Sequence, residues 1–136
     1  MSLNRDRFDR SIAAWNAGDL DGYLELYDPS VRLHGYSDQP MGFDDVRGFY
    51  AGLWSAVADP RITVHDLAET DDTLWCRATM SGTHAGELMG VPATGRPIAQ
   101  PVMTSLRFVD VRCVERHSVA DMLPVLMTIG ALPAPG

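Results

Sequence analysis

The chain has 136 residues, of which 46% are hydrophobic and 21% are charged, and its formal net charge is −7. This length suits one domain with its own hydrophobic core, and the composition is that of a folded globular protein. The acidic charge disfavours nucleic acid and anionic membranes as partners, and no apolar run reaches the length of a membrane span. Because an apolar leader is not seen either, a cytoplasmic protein is expected.

Helical periodicity dominates the first part of the chain, and strand-like alternation dominates the second. Phe8, Ile12 and Trp15 recur on one helix face, and Asp19 is a suitable N-cap for the short helix after it. The predicted elements are, in chain order, a helix ending before 18, a short helix after 19, a strand at 31–36, a helix at 44–58, strands at 61–69, 73–84, 97–109 and 111–119, and a closing helix at 121–129.

Helices followed by strands with short connections predict an α+β fold with a mostly antiparallel sheet. Three N-terminal helices on one face of a strongly bent sheet would enclose a pocket in a cone-shaped half-barrel, with a short C-terminal helix closing it. No linker, repeat or low-complexity stretch divides the sequence, so residues 1–136 are predicted to form a single domain.

The stretch VERHSVADML at 114–123 is the best candidate for acid/base chemistry. Alternation along an extended strand places Glu115 and His117 on one face, which we predict to point inward. Asp121 lies where this strand turns into the closing helix. Its carboxylate has two possible roles, as a cap of the helix or as a group that reaches into the pocket.

The cysteines and histidines do not follow a metal-binding pattern. Neither zinc-type spacing nor a calcium loop occurs, so we expect no bound metal and no cofactor. Cys76 and Cys113 are predicted to be reduced core residues. His65 and His84 are predicted to lie at the surface.

Several segments carry a family resemblance. The sequence resembles the SnoaL-like polyketide cyclases in GTHxGxxMGxPxTGR at 82–96, WNxGDL at 15–20, GFD at 42–44, and the region 108–130. The resemblance covers nearly the whole chain, and the glycine-rich run at 82–96 is its most specific part. It implies the cone-shaped fold of nuclear transport factor two and ketosteroid isomerase, with a pocket closed by the first three helices.

The resemblance also implies a catalytic residue. In the family, an acid after the last strand is the acid/base group of a cofactor-free intramolecular aldol condensation, and Asp121 occupies that position. An apolar pocket disfavours the charged form of a carboxylate, which would make it a stronger base. Two positions depart from the family: His117 replaces a frequent tryptophan, and Thr104-Ser105 replaces an inward histidine.

The predicted function is therefore ring closure of a hydrophobic, carbonyl-rich small molecule with Asp121 as the base. His117 would orient this base or hydrogen-bond a substrate oxygen, and His34 would keep a polar group in the pocket. A protonated histidine or a tyrosine would stabilise the enolate oxygen. Aromatic and methionine side chains are the predicted substrate-binding residues: Trp15, Tyr36, Tyr50, Trp54, Met89 and Met103. The helical spacing of the aromatic residues among them also fits plain core packing.

Two other functions remain as alternatives. One is a non-catalytic pocket protein that binds a small apolar ligand. The other is an epoxide hydrolase of the limonene type, which ranks last because Arg77-Ala78-Thr79 lacks the acid of the Arg-x-Asp pair in that enzyme. Since the superfamily usually pairs through the outer face of its sheet, the resemblance also implies a homodimer.

Overall fold

The computed structural model describes residues 2–133 and contains four helices and five strands in that part of the chain. The elements, in chain order, are α1 (Leu3–Asn16), α2 (Leu20–Leu24), β1 (Tyr27–His34), α3 (Phe43–Ala56), β2 (Val57–Thr70), β3 (Thr73–His84), β4 (Pro97–Val109), β5 (Arg112–Ala120) and α4 (Leu123–Ile129). This order confirms the predicted α+β fold, and β3 and β4 have the predicted bounds.

Local capping explains where several helices begin and end. The Ser2 hydroxyl oxygen accepts a hydrogen bond from the Arg5 N–H at 3.1 Å, and Asp19 Oδ1 accepts one from the Gly22 N–H at 2.9 Å. Both are N-cap contacts, and the second confirms the predicted cap of α2. Gly130 has a φ of 86°, a left-handed conformation that favours glycine at a helix end.

Two strands begin four residues earlier than predicted: β1, which was predicted at 31–36, and β2, before which Asp59-Pro60 was predicted to end the helix. Helix α3 instead ends at Ala56, and β2 begins at once and passes through Asp59-Pro60. The pairing of β2 with β3 shifts register between Ala58 and Arg61. The strand therefore tolerates the proline because its hydrogen-bond ladder is interrupted there.

The five strands form one sheet in the order β1-β5-β4-β3-β2. Strand β1 pairs in parallel with β5, and the other three pairings are antiparallel. The predicted mostly antiparallel sheet is thus confirmed. Helices and the inner sheet face share one core, whose largest fully buried side chains include Trp15, Tyr23, Tyr27, Leu26, Leu33, Leu74 and Leu106. In residues 2–133, no helix is both long and apolar enough to cross a lipid bilayer.

Strand β5 contains a bulge at Val114. Phe108 pairs with Cys113, whereas the preceding Arg107 pairs with Glu115, so that Val114 has no partner of its own on β4. One extra residue in a strand exchanges its two faces from that point onward, because successive side chains alternate. The bulge therefore decides which half of β5 points into the protein.

Beyond the bulge, the even-numbered residues of β5 face the interior. Arg116, Ser118 and Ala120 line the space between sheet and helices. Glu115 and His117, which were predicted to point inward, lie on the opposite face of the sheet. The alternation of Glu115 and His117 with their neighbours was predicted correctly, but they were assigned to the wrong face, because a regular two-residue period does not reveal the bulge.

Candidate active site

A cavity of about 470 Å³ lies between the helices and the inner face of the sheet. This volume is within the range of pockets that hold drug-sized ligands. Most of its wall is apolar and comes from the helices, the inner faces of β3 and β4, and the segment between these strands: Phe8, Ile12, Trp15, Phe49, Leu53, Cys76, Met80, Leu88, Val102 and Met122.

Arg116 organises the polar end of this cavity. Its Nη1 donates hydrogen bonds to the hydroxyl oxygens of Tyr27 at 2.6 Å and Tyr23 at 3.0 Å. Its Nε donates to Thr104 Oγ1 at 2.9 Å and Ser118 Oγ at 3.2 Å. No carboxylate among residues 2–133 forms an ion pair with it. The guanidinium is therefore held by neutral hydroxyls and keeps its full positive charge.

Tyrosine hydroxyls extend this network along the cavity. The Tyr23 oxygen lies 2.7 Å from that of Tyr27 and donates to Tyr50 at 3.2 Å. The Tyr36 and Tyr50 hydroxyls are 2.9 Å apart, and the Ser118 hydroxyl donates to Tyr36 at 3.5 Å. Because Tyr23, Tyr36 and Tyr50 all line the cavity, the network presents several hydroxyls to a ligand.

Burial sets the protonation states of these groups. It raises the pKa of Tyr27 and Tyr50 well above the ordinary value and also raises that of Tyr23. Burial disfavours the charged form of Arg116, but the surrounding tyrosine oxygens, those of Tyr27 and Tyr36 foremost, outweigh it and hold its pKa well above the ordinary value. At neutral pH the site thus combines one cation with neutral hydroxyl donors.

Asp121, the predicted base, lies at the rim. Its Oδ1 accepts a hydrogen bond from the Leu123 N–H at 3.1 Å, which is a local turn contact, since the N-cap of α4 is Met122 and no side chain caps this helix. The residue is exposed and does not line the cavity, although its neighbours Ala120 and Met122 both do. The apolar surroundings expected for Asp121 are therefore not present, and its catalytic role stays a prediction.

Among the carboxylates of residues 2–133, Glu87 alone contributes to the cavity wall. It lies in the segment between β3 and β4, where Leu88 and Val91 exchange two backbone hydrogen bonds of 3.0 and 2.9 Å. Met89 and Gly90, with φ of 50° and 78°, form the tight turn between them. Sequence reasoning did not find Glu87, although an acid beside apolar residues in a family-specific segment is a usable signal.

His34 and His117 lie together on the outer face of the sheet, away from the cavity. His34 Nε2 is 3.0 Å from Glu115 Oε2, and His117 Nε2 is 4.0 Å from the same oxygen. The two imidazole rings are stacked, with centroids 4.2 Å apart. The hydrogen bond with His34 is the main reason that the pKa of Glu115 is lowered. Neither histidine lines the cavity or hydrogen-bonds Asp121, so the orienting role predicted for His117 and the pocket position predicted for His34 have no geometric basis.

Tyr36 lines the cavity, although it lies only two residues after His34, which faces away from the cavity. Strand β1 ends at His34, and Gly35 follows with a φ of 93°. A Cβ on Gly35 would collide with the Ser118 carbonyl oxygen, so both the close approach and the backbone conformation require glycine. The turn at Gly35 directs Tyr36 inward.

The other predicted substrate-binding residues divide between cavity and surface. Trp15, Tyr50 and Met89 line the cavity, as Tyr36 does. Trp54 is partly buried against the core and packs edge-to-face on Trp15, with ring centroids 5.0 Å apart, but it does not line the cavity. Met103 lies on the outer face and is 62% exposed, because its strand neighbours Val102 and Thr104 point inward.

His84 is fully buried, so its predicted surface position is wrong. Its Nδ1 lies 2.9 Å from Thr94 Oγ1, and its backbone bonds to Gly95 and Arg96. These contacts hold together the base of the segment that carries Glu87. His65 is exposed, as predicted.

Comparison with known proteins agrees with this architecture. Residues 6–129 match the model of the SnoaL-like polyketide cyclase family. The chain is 25% identical to the aklanonic acid methyl ester cyclase DnrD of Streptomyces peucetius, over 96% of this chain and 92% of that protein. It is 24% identical to the nogalonic acid methyl ester cyclase of Streptomyces nogalater, over 88% of this chain and 91% of that protein.

Among solved structures, AclR of Streptomyces galilaeus, a candidate hydroxylase, superposes with a TM-score of 0.90 at 30% sequence identity. The match covers 98% of this chain and 84% of AclR. The family match includes the helices, all five strands and the segment at the cavity mouth. The chain belongs to the SnoaL-like polyketide cyclase family.

Proposed function

We propose that this protein is a cofactor-independent acid/base enzyme that closes a ring in a carbonyl-rich, polyketide-type small molecule. The family match and the two named cyclases support the substrate class. The observation that carries the proposal is a mostly apolar cavity that ends at a guanidinium surrounded by hydroxyl donors. Such a cavity suits a flat apolar molecule with a carbonyl at one end.

The polar end is suited to stabilise an enolate. In an intramolecular aldol addition a base removes a proton from a carbon next to a carbonyl, and negative charge develops on the carbonyl oxygen. Tyr36 and Tyr50 offer neutral hydroxyls at the cavity wall, and Arg116 supplies a positive charge to the same network. Donors fixed in advance around a developing oxyanion lower the barrier because they need little reorganisation.

The base belongs at the rim, where two carboxylates are available. Asp121 is our proposed base, because the family places its acid at this position and because both of its neighbours line the cavity. Glu87 is the competing group, since it contributes to the wall itself. Either carboxylate would take the proton and later return it to the new alkoxide.

The decisive experiment compares Asp121→Asn with Glu87→Gln on aklanonic acid methyl ester and related compounds. The side-chain oxygen of asparagine can accept the same hydrogen bond from the Leu123 N–H, so Asp121→Asn should leave the start of α4 intact. If Asp121 is the base, this variant binds the compound but loses about 10²-fold or more in kcat. A loss confined to Glu87→Gln would transfer the role to Glu87. Binding without turnover by the wild type would leave a non-catalytic pocket protein.

The similarity to AclR favours hydroxylation as a second candidate function. Mass spectrometry of the product separates the two, because aldol ring closure leaves the molecular formula unchanged whereas hydroxylation adds an oxygen atom. Epoxide hydrolysis gains no support, since Arg77 lies outside the cavity and its Nε donates to Asp66 Oδ2 at 2.7 Å.

The outer face of the sheet supports the proposal of a homodimer. Trp75, Met103 and Val119 are 52%, 62% and 75% exposed there, and Met103 and Val119 are direct partners in the β4–β5 register. Large apolar side chains grouped on a sheet face are typical of a surface that becomes covered. A second copy of the chain is the occupant that we propose.

A further inference from the structure

A cluster of three potential metal ligands lies on the outer face of the sheet. His34, Glu115 and His117 each offer one ligand atom, and these atoms all lie within 4.8 Å of one another. His34 and His117 are direct partners in the parallel pairing of β1 with β5. Backbone pairing, and not chance proximity of flexible chains, therefore brings the cluster together.

We propose that this cluster binds one divalent transition-metal ion of the zinc class through two imidazole nitrogens and one carboxylate oxygen. Imidazole and carboxylate are ordinary zinc ligands, and two histidines with one acidic residue are a known donor set. Ligand atoms about 2.0–2.1 Å from a tetrahedral ion lie roughly 3.3 Å apart. The observed separations from Glu115 Oε2, 3.0 Å to His34 and 4.0 Å to His117, lie on either side of that value.

Binding needs one local adjustment. The two imidazole planes are 6° from parallel, so their nitrogen lone pairs point in nearly the same direction and must fan out to meet at one ion. In the single chain the side chain of His117 is 61% exposed and can rotate at little cost; because it lines the same groove as Met103 and Val119, this adjustment comes before two copies pair. The side chains of His34 and Glu115 are only 28% and 33% exposed and hydrogen-bond each other, so they are held more firmly and form the fixed part of the site.

Arg107 orients the carboxylate without blocking it. Its Nη2 lies 3.7 Å from Glu115 Oε1, which leaves Oε2 directed toward the two histidines. The positive charge of Arg107 opposes a second cation nearby, so we expect micromolar rather than nanomolar affinity. With three protein ligands at a half-exposed place, the fourth position is open to water.

The ion would join β1 to the rest of the sheet. Strand β1 is an edge strand whose pairing within the sheet is with β5 alone. A ligand that binds only the folded state raises Tm in proportion to the logarithm of its free concentration over Kd. At a hundredfold excess over Kd, Zn²⁺ should raise Tm on the order of 5–10 °C.

The test measures Tm and calorimetric binding for tag-free protein with Zn²⁺ or Co²⁺, with Mg²⁺ as the hard-cation control. His117→Ala and Glu115→Gln should each weaken Zn²⁺ binding at least tenfold and reduce the Tm rise to about half or less at the same Zn²⁺ concentration. His65→Ala is the matched control, because it removes an exposed histidine from β2 at the opposite edge of the sheet. This variant should bind as the wild type does.

Three results would overturn the proposal: no Tm rise in the wild type, an equal rise in His117→Ala, or a loss of binding in His65→Ala. The cavity variant Arg116→Met should retain metal binding, which separates this site from the proposed catalysis. Sedimentation with and without Zn²⁺ should give the same mass, as expected for an ion bound within one chain.

Discussion

Arg116 and Tyr27 form the shortest hydrogen bond of the cavity network, with Nη1 2.6 Å from the hydroxyl oxygen. Tyr27 does not line the cavity and supports the guanidinium from behind, whereas Tyr36 joins the same network at the cavity wall. The two tyrosines therefore differ in role although they share one network. Substitutions at Tyr27 and Tyr36 can distinguish structural support of Arg116 from a contribution to catalysis.

We expect Tyr36→Phe to lower kcat about 10- to 100-fold and to change the free energy of unfolding by less than about 1 kcal/mol, because it removes one oxyanion donor at a partly exposed place. Tyr27→Phe should lower the free energy of unfolding by about 1–3 kcal/mol, since a buried hydrogen bond to a charged group is lost. Urea unfolding and steady-state kinetics on both variants measure these effects. The reverse pattern would contradict the assigned roles.

Arg116→Lys should lose nearly as much activity as Arg116→Met. The guanidinium reaches Tyr27 and Tyr23 through Nη1 while Nε reaches Thr104 and Ser118, and one ammonium cannot span both pairs. We expect kcat to fall about 10²-fold or more in both variants. Full activity in the lysine variant would show that charge alone is required, and a binding assay distinguishes loss of turnover from loss of affinity.

The stability of the protein should fall in alkaline solution above about pH 9. Burial raises the pKa of the Cys113 thiol from 9.0 to about 11, so the folded state keeps a proton that the unfolded state has lost. This contribution is complete below pH 9 and is lost by about pH 11, at about 1.4 kcal/mol per pH unit. Urea unfolding from pH 8 to 10.5 measures it, with Cys113→Ala as the control that should show a shallower decline. An equal decline in both would contradict the assignment.

Alanine should be harmful at Gly86 and stabilising at Gly48, because only Gly86 lacks room for a Cβ. A Cβ at Gly86 would collide with the Ser55 carbonyl oxygen, so Gly86→Ala should displace the segment over the cavity mouth and weaken ligand binding. Gly48 lies exposed in the middle of α3 with open space around it, so Gly48→Ala should raise the free energy of unfolding by about 1 kcal/mol. Thermal unfolding and ligand titration measure both. A higher free energy of unfolding in Gly86→Ala would contradict this prediction, because it would show that the segment between β3 and β4 accommodates the added Cβ without strain.

Val119→Lys should convert the proposed homodimer to a monomer, because it places a charge among the exposed apolar residues of the outer sheet face. Leu3→Lys is the control, since Leu3 is 66% exposed on α1 away from this face. Light scattering during size-exclusion chromatography gives the mass of each. A monomeric wild type would refute the dimer directly.

Regular periodicity predicted the elements well and the site only in part. Strands β3 and β4 were predicted with their observed bounds because alternation persists over their whole length. The same alternation groups Val102 with the inward residues, so it already indicates that Met103 points outward. The outward position of Met103 is therefore recoverable from the sequence, and its predicted substrate-binding role conflicts with it.

Arg116 and Tyr36 could not be placed by alternation, because each lies beyond a break in the regular strand. The bulge at Val114 shifts the phase of β5, and Gly35 turns the chain after β1. A glycine in a strand pattern does indicate such a break, so Tyr36 is recoverable from the sequence. The bulge depends on how β5 pairs with β4, and the residue pattern of β5 alone does not specify that pairing.

Loss of the bulge with Val114 retained, which is a one-residue slip of the end of β5 along β4, would exchange the chemistry of the two sheet faces in a single step. Arg116 and Ser118 would turn to the solvent, and Glu115 and His117 would enter the cavity. One residue of register thus separates a cavity built around a cation and hydroxyls from one built around a carboxylate and an imidazole. Changes in strand register, as well as substitutions, are therefore a short evolutionary route by which this fold can acquire a different reaction.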